Sequence, residues 1–176
     1  MSGKGFNVTG QLPALKRYAR ALTRDETEAE DLVHDTVLRA YEGRGSFRRD
    51  GDLKRWLFSV LHNTFVSGRR SARAQQKRHD SVAELTEMQT GASQEASLRL
   101  NQIRAAFSAL PGEQREVLHL VAIEGLAYGE AAEILGVPLG TLMSRLGRAR
   151  AALRAFEAGE TNVVSLKLVR GGDGEK

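Results

Sequence analysis

A chain of 176 residues is long enough for one domain or two small ones. With 41% hydrophobic and 27% charged residues it has an ordinary soluble composition, and no apolar run is long enough to cross a bilayer, so no membrane insertion is expected. The absence of cysteine excludes disulfides and thiolate metal sites. The four histidines (His34, His62, His79 and His119) lack metal-ligand spacing and are assigned to helix surfaces, so neither metal nor cofactor is expected. The opening "MSGKGFNVTG" has no apolar signal-peptide core, which predicts a cytoplasmic protein.

The net charge of +4 is unevenly spread. Between Asp25 and Glu42 seven acids face Arg39 alone, a net −6; between Arg44 and Arg78 ten bases face Asp50 and Asp52, a net +8. Adjacent segments of opposite sign predict two partners, one basic and one polyanionic. The alternative is that the two segments pair within the fold, but surface pairs contribute only about 0–1 kcal/mol each and do not by themselves explain such segregation.

Taken in chain order, nearly everything reads as helix. Leu12, Leu15, Tyr18, Ala19 and Leu22 recur at helical spacing and predict a first short amphipathic helix. "TEAE", Thr27 to Glu30, reads as a capping box opening a second helix that buries Ala29, Leu32, Val33, Thr36, Val37, Ala40 and Tyr41, with Gly43 placed to stop it. The loop "RGSFRRDGD" leads to "WLFSVLHNTFVSGRR", Trp56 to Arg70. Here Trp56, Leu57, Val60, Leu61 and Thr64 make a core stripe, while Phe58, His62, Phe65 and Arg69 form another on nearly the opposite side. That second stripe has two readings: a helix packed on both sides, or aromatics stacking on unpaired bases beside cations that hold phosphates. Residues 8–78 are thus read as a small helical bundle.

The segment from His79 to Ser97 is polar and reads as a flexible linker; its 19 residues span roughly 60 Å when extended at about 3.3 Å each. Helical pattern resumes at Leu98, with Leu100, Ile103, Phe107 and Leu110 expected to face inward until Pro111. A further helix carries Val117, Leu118 and Val121 and ends near Gly125. In "AYGEAAEILGVPLGTLMSRLGRARAALRAF" a short helix from Tyr128 to Leu135 turns at Gly136 into a second helix that buries Leu142, Leu146, Ala149 and Leu153. Small Ala132, the turn glycine and apolar Leu142 are spaced for two helices to cross closely. Thr141, Ser144, Arg145 and Arg148 lie away from that face, and from Leu139 to Ala155 there are four arginines and no acid. This pattern points to a helix-turn-helix that enters the major groove. Residues 98–158 form this second unit, and 159–176 are read as a mobile tail. The fold expected is all-α: two small helical domains joined by a flexible linker.

Three blocks, "EAEDLVHDTVLRAY", "LKRWLFSVLHNTFVSGRR" and "LAYGEAAEILGVPLGTLMSRLGRARAALR", in this order, resemble the bacterial extracytoplasmic-function (ECF) sigma factors of the sigma-70 superfamily from about Leu12 to Phe156. The resemblance implies sigma domain 2 and sigma domain 4 without the domain that lies between them in larger sigma factors. It implies docking of Asp31, Leu32, His34, Asp35 and Leu38 on the clamp helices of the RNA polymerase β′ subunit, and contact of the second half with the β flap. His34 stands where the family often has glutamine. The second block resembles the part that melts and reads the minus-ten promoter element. Asn63 matches a base-contacting asparagine, the loop Arg49, Asp50, Gly51, Asp52 and Leu53 a pocket for a flipped base, and Arg55, Arg69 and Arg70 phosphate contacts. The third block resembles the reader of the minus-thirty-five element, with Thr141, Ser144, Arg145 and Arg148 as its contacts. Met143 occupies a position that is often basic and Gly147 offers no side chain, so specificity there leans on backbone contact and DNA shape.

The resemblance further implies a promoter-specificity subunit that an anti-sigma factor keeps inactive. The linker suggests a free protein that is extended and closes when its inhibitor binds. Two alternatives belong to other classes: a sigma mimic that sequesters an anti-sigma factor, and a stand-alone helix-turn-helix regulator. No nucleophile–base pair or carboxylate constellation points to an enzyme.

Overall fold

The computed structural model describes residues 6–48, 51–76 and 94–157, with side chains for 6–48, 51–71 and 100–156. The described residues form α1 (Leu12–Thr23), α2 (Glu26–Glu42), α3 (Leu53–Gln76), α4 (Gln94–Ala109), α5 (Gly112–Leu118), α6 (Tyr128–Leu135) and α7 (Leu139–Glu157), with 3-10 turns at Thr9–Gln11 and Arg44–Ser46 and a π turn at His119–Ile123. None of them is a strand.

The first half is the expected bundle, with corrections at its helix starts. Leu15, Tyr18, Ala19 and Leu22 of α1 are buried against α2 and α3. The cap of α2 is not Thr27 but Asp25, whose extended backbone lets its carboxylate accept the Glu28 N–H at 2.8 Å; Thr27 lies inside the first turn. Helix α3 begins at Leu53, three residues before Trp56, because the Asp52 carboxylate accepts the Lys54 N–H at 2.9 Å.

Helix α3 is packed on both sides. Leu57, Phe58 and Leu61 are fully buried, as are most of His62 and Thr64. Phe58 meets Tyr18 edge-on with centroids 5.3 Å apart, and the Tyr18 hydroxyl lies 3.3 Å from His62 Nδ1. Phe58 and His62 therefore belong to the core, and the stacking reading of that stripe survives only at half-buried Phe65. Histidines 62 and 119 are buried rather than on helix surfaces, His34 is exposed as expected, and His79 lies outside the described residues.

In the second half Leu110 is buried, but Leu100 and Ile103 are 44% and 43% exposed, so the face of α4 expected to point inward is largely open. The helix-turn-helix forms as read. Gly136 adopts φ +63°, where a side chain would be strained, and its N–H returns to Ala132 and Glu133. Ala131, Ala132, Leu142, Leu146 and Ala149 close the space between α6 and α7.

The two halves do not stand apart, contrary to the extended arrangement that the linker suggested. Helix α1 packs against α5 and the π turn, and α3 packs against α6, so that one buried apolar cluster runs from Val8 to Ala149. Arg115, itself buried, donates its Nε to the Ala21 carbonyl at the end of α1 and an Nη to the Leu110 carbonyl at 2.8 Å. The reason is apolar area: Tyr18, 0% exposed, is covered in part by the His119 ring stacked on it from the other half, and the two buried sets join into one cluster. Helix α4 starts at Gln94, inside the segment read as linker; residues 77–93 and the tail read at 159–176 lie outside the described residues.

Removing a fully buried ring leaves a cavity, so Phe58→Ala is expected to lower stability by about 3–5 kcal/mol in denaturant unfolding. A loss near 0.5 kcal/mol, typical of a surface position, would return Phe58 to the surface.

Candidate functional site

The acidic helix presents one continuous stripe. Asp31, His34, Asp35 and Leu38, spaced by three and four residues, are all exposed, Leu38 by 51%. Leu32, grouped with them from the sequence, is 8% exposed and belongs to the core, because it lies on the opposite side of α2. Tyr41, read as buried, is 47% exposed and extends the stripe by almost a turn, with Phe6 packed edge-on at 5.6 Å. Asp31 and Asp35 form no ion pair with any described residue, so the negative charge of this face is not consumed inside the fold.

The loop before α3 sits on an aromatic base. Phe6, Phe47 and Trp56 meet pairwise with centroids 5.4–5.9 Å apart. Gly51 is exposed and its N–H donates to the Arg48 carbonyl at 2.8 Å, Asp52 is occupied in capping α3, and Leu53 is half-buried; Arg49 and Asp50 lie outside the described residues. Further along α3, Asn63 and Arg70 are exposed on the outer side, and Arg69 is exposed on the flank, its guanidinium 5.5 Å from the Phe65 ring. Arg55 is different. Its Nη2 reaches Glu133 at 2.9 Å and its Nη1 reaches Glu130 at 3.5 Å, both on α6.

That pair borders a junction the sequence did not reveal. The Glu124 carboxylate, 1% exposed, receives Arg17 Nη2 of α1 at 3.0 Å and Lys54 Nζ of α3 at 2.9 Å. Lys54 also donates to the Glu124 carbonyl at 3.0 Å. On the same carboxylate His119 Nε2 lies at 3.3 Å, and Tyr18 stacks on the His119 ring with centroids 5.3 Å apart. Burial alone would raise the Glu124 carboxyl, but hydrogen bonds and charge from Lys54 and Arg17 outweigh it and leave the group below its ordinary range. Burial pushes His119 down to about 4, against the pull of Glu124 and reinforced by Arg17 and Lys54. The partners of Glu124 are 70 and 107 residues away in sequence, so no local motif announces them.

In the helix-turn-helix, Ser144 and Arg148 are exposed and Thr141 is half-buried. Ser144 Oγ donates to the Thr141 carbonyl at 2.9 Å, and Arg145 pairs with Glu113 at 2.9 Å. Thr141, Ser144 and Arg148 share the outward side of α7, whereas Arg145 is drawn to its flank.

A helical unit with an exposed acidic stripe, followed by a helix-turn-helix, has the organisation of sigma region 2 joined to sigma region 4. Residues 8–62 match the family described as the Sigma2 domain of PhyR, and residues 100–153 match Sigma-70, region 4. The ECF RNA polymerase sigma factor EcfG of Rhodopseudomonas palustris is 39% identical over 151 residues, spanning 85% of this chain and 82% of that one. SigM of Mycobacterium tuberculosis, also an ECF sigma factor, is 34% identical over 140 residues, with 79% and 69% covered. Among solved structures, the sigma factor RpoE in complex with the anti-sigma factor NepR from Bartonella quintana superposes with a TM-score of 0.74 at 34% identity, covering 86% of this chain and 94% of that one. The PhyR–NepR complex of Sphingomonas sp. Fr1, at 23% identity and a TM-score of 0.63, shares the fold. The chain belongs to the ECF RNA polymerase sigma factors.

Two outcomes follow from the junction. Glu124→Gln removes the charge between Arg17 and Lys54; it is expected to cost about 1–3 kcal/mol and to increase the radius of gyration in small-angle scattering, with helix content unchanged. Acid is expected to act in the same direction. His119 and Glu124 both hold protons less readily in the packed form than in the unfolded chain; the His119 contribution is complete above about pH 6.5 and is lost as pH falls toward 4, and that of Glu124 is lost only as pH falls below the ordinary carboxylate range. By pH 5 about 2 kcal/mol of the His119 contribution has been lost, and His119→Gln is expected to flatten the pH dependence of the unfolding midpoint.

Proposed function

We propose that this sigma factor carries core RNA polymerase to promoter DNA in the cytoplasm, performs no catalytic step itself, and is controlled by an anti-sigma protein. The observation that carries the reading is the unpaired acidic stripe of α2, Asp31, His34, Asp35 and Leu38 with Tyr41 beyond, which suits a basic helical partner such as the polymerase clamp. Asn63, an exposed amide that can donate to and accept from a base edge, reads the minus-ten element, with Arg69 and Arg70 on phosphates. The loop 49–53 and its aromatic base receive an unstacked nucleotide. Ser144, Arg148 and Thr141 of α7 face the minus-thirty-five element.

The packed arrangement supports control by closure. Arg55, a phosphate contact in the open form, is engaged by Glu130 and Glu133 when the halves meet. The two promoter elements lie about 25 base pairs, or about 85 Å, apart, farther than two touching helical units reach. Polymerase and promoter therefore favour the separated form, and an inhibitor that bridges both halves favours the packed one, the differential affinity that a switch requires. The relative that superposes best among those described above is itself in complex with an anti-sigma factor. The sigma-mimic reading draws on the match of residues 8–62 to PhyR; run-off transcription with purified core polymerase separates the two, since a mimic yields no transcript.

Asp31→Lys with Asp35→Lys is expected to abolish binding to core polymerase in fluorescence anisotropy while leaving the circular dichroism unchanged, because both positions are exposed. Undiminished binding would remove the docking assignment. Asn63→Ala is expected to suppress permanganate reactivity of promoter thymines with little loss of closed-complex affinity. Replacing Arg69 and Arg70 is expected instead to weaken binding to all sequences and to flatten its salt dependence.

A further inference from the structure

The outward surface of α7 has two unlike edges. At about 100° per residue, with Leu142, Leu146 and Ala149 buried, Leu139 and Met143 fall together on one edge and Thr141, Ser144 and Arg148 on the other. Leu139 and Met143 are 49% and 53% exposed, one turn apart, on a helix whose other large apolar side chains are buried or half-buried. Between the edges lie Gly140 and Gly147, where an added Cβ would meet nothing within 4 Å. The centre of this surface is bare backbone, without a side chain to hold a partner surface away from the two edges.

We propose that Met143, supported by Leu139, is a specificity-determining residue that recognises thymine C5-methyl groups in the minus-thirty-five element; the proposal rests on the reading of α7 as the helix that enters that element. In the major groove thymine alone among the four bases presents a methyl group, and an exposed thioether chain is the flexible, polarizable surface that covers it. The polar edge is short of groups for base reading. Arg145 is held by Glu113, and the Ser144 hydroxyl proton is given to the Thr141 carbonyl, which leaves its oxygen as an acceptor. Arg148 and the half-buried Thr141 hydroxyl remain as the donors of that edge, a small set that leaves room for discrimination by the apolar one. Charge selects the occupant: four arginines and no acid between Leu139 and Ala155 suit a polyanion, and DNA is the polyanion that also carries methyl groups.

The test uses holoenzyme assembled from the full chain and core polymerase. A duplex library randomised upstream of the minus-ten element is selected for binding, and each thymine of the recovered upstream element is then replaced by uracil, which deletes only the methyl. Loss of a methyl contact is expected to weaken wild-type binding about fourfold at one or two positions. Met143→Ala is expected to bind thymine and uracil duplexes equally, while Arg148→Ala weakens both and keeps the discrimination. An element without thymine, or thymine–uracil discrimination that persists in Met143→Ala, overturns the proposal and leaves Leu139 and Met143 as a protein-docking edge. Recovery of no upstream element, with Arg148→Ala binding as wild type, overturns the reading of α7 itself and the proposal with it, an outcome distinct from the others.

Discussion

A carboxylate nine-tenths removed from water is stable only when cations come to it, and Glu124 draws one from each of two helices in the other half of the chain. Arg17 and Lys54 are partly exposed and keep much of their hydration, so the desolvation cost falls chiefly on the carboxylate. The packing of α1 on α5, the stacking of Tyr18 on His119 and the seat of Arg115 at the end of α1 all share the register in which this junction forms. A polar junction inside an apolar contact also makes that contact conditional. Closely fitted hydrophobic faces alone would hold the halves together under all conditions, whereas paired charges separate when a partner offers equivalent pairing or when protons compete.

Helix α3 shows how one segment serves a core and a nucleic-acid surface at once. Its buried sides, Leu57 and Leu61 on one and Phe58 and His62 on another, leave an outward strip for Asn63 and Arg70, while Arg69 continues the Phe58 and His62 stripe beside Phe65. A helix held by buried side chains on two sides has little freedom to turn about its axis, so the core fixes where Asn63 and Arg70 stand on the surface. Arg55 lies where α3 faces α6, so the same helix reports whether the halves are together.

Of the opposite charges of the first half, net −6 followed by net +8, the described cations Lys54 and Arg55 do not pair with the acids of α2. Arg55 and Lys54 turn instead to Glu130, Glu133 and Glu124 of the second half, and Asp31 and Asp35 turn to solvent. Segregation at this scale is a property of surfaces that meet partners, because internal neutralisation would have brought the two segments face to face.

Local chemistry was legible from the residues alone. The periodicity of Leu15, Tyr18, Ala19 and Leu22, the turn at Gly136 and the buried row Leu142, Leu146 and Ala149 depend on neighbours within a few positions, and they stand as read. The order of three blocks sufficed for the family, and the exposure of Asp31, Asp35, Asn63 and Arg148 accords with the roles its motifs imply. Even local reading has limits where signals compete: Asp25 and Thr27 both qualify as caps, and the backbone at Asp25 decides between them. What only the tertiary structure decided involves pairs far apart in the chain. An apolar stripe records that a face will be covered but not by what, so Phe58 and His62 could have met bases, solvent or a second domain until α1 was placed against them. Tyr41, Leu100 and Ile103, all read as buried, are exposed for the same reason. Glu124, Arg17 and Lys54 are ordinary charged residues in sequence, and they become a junction only because folding brings positions 70 and 107 residues apart within 3 Å, a proximity that no local pattern encodes.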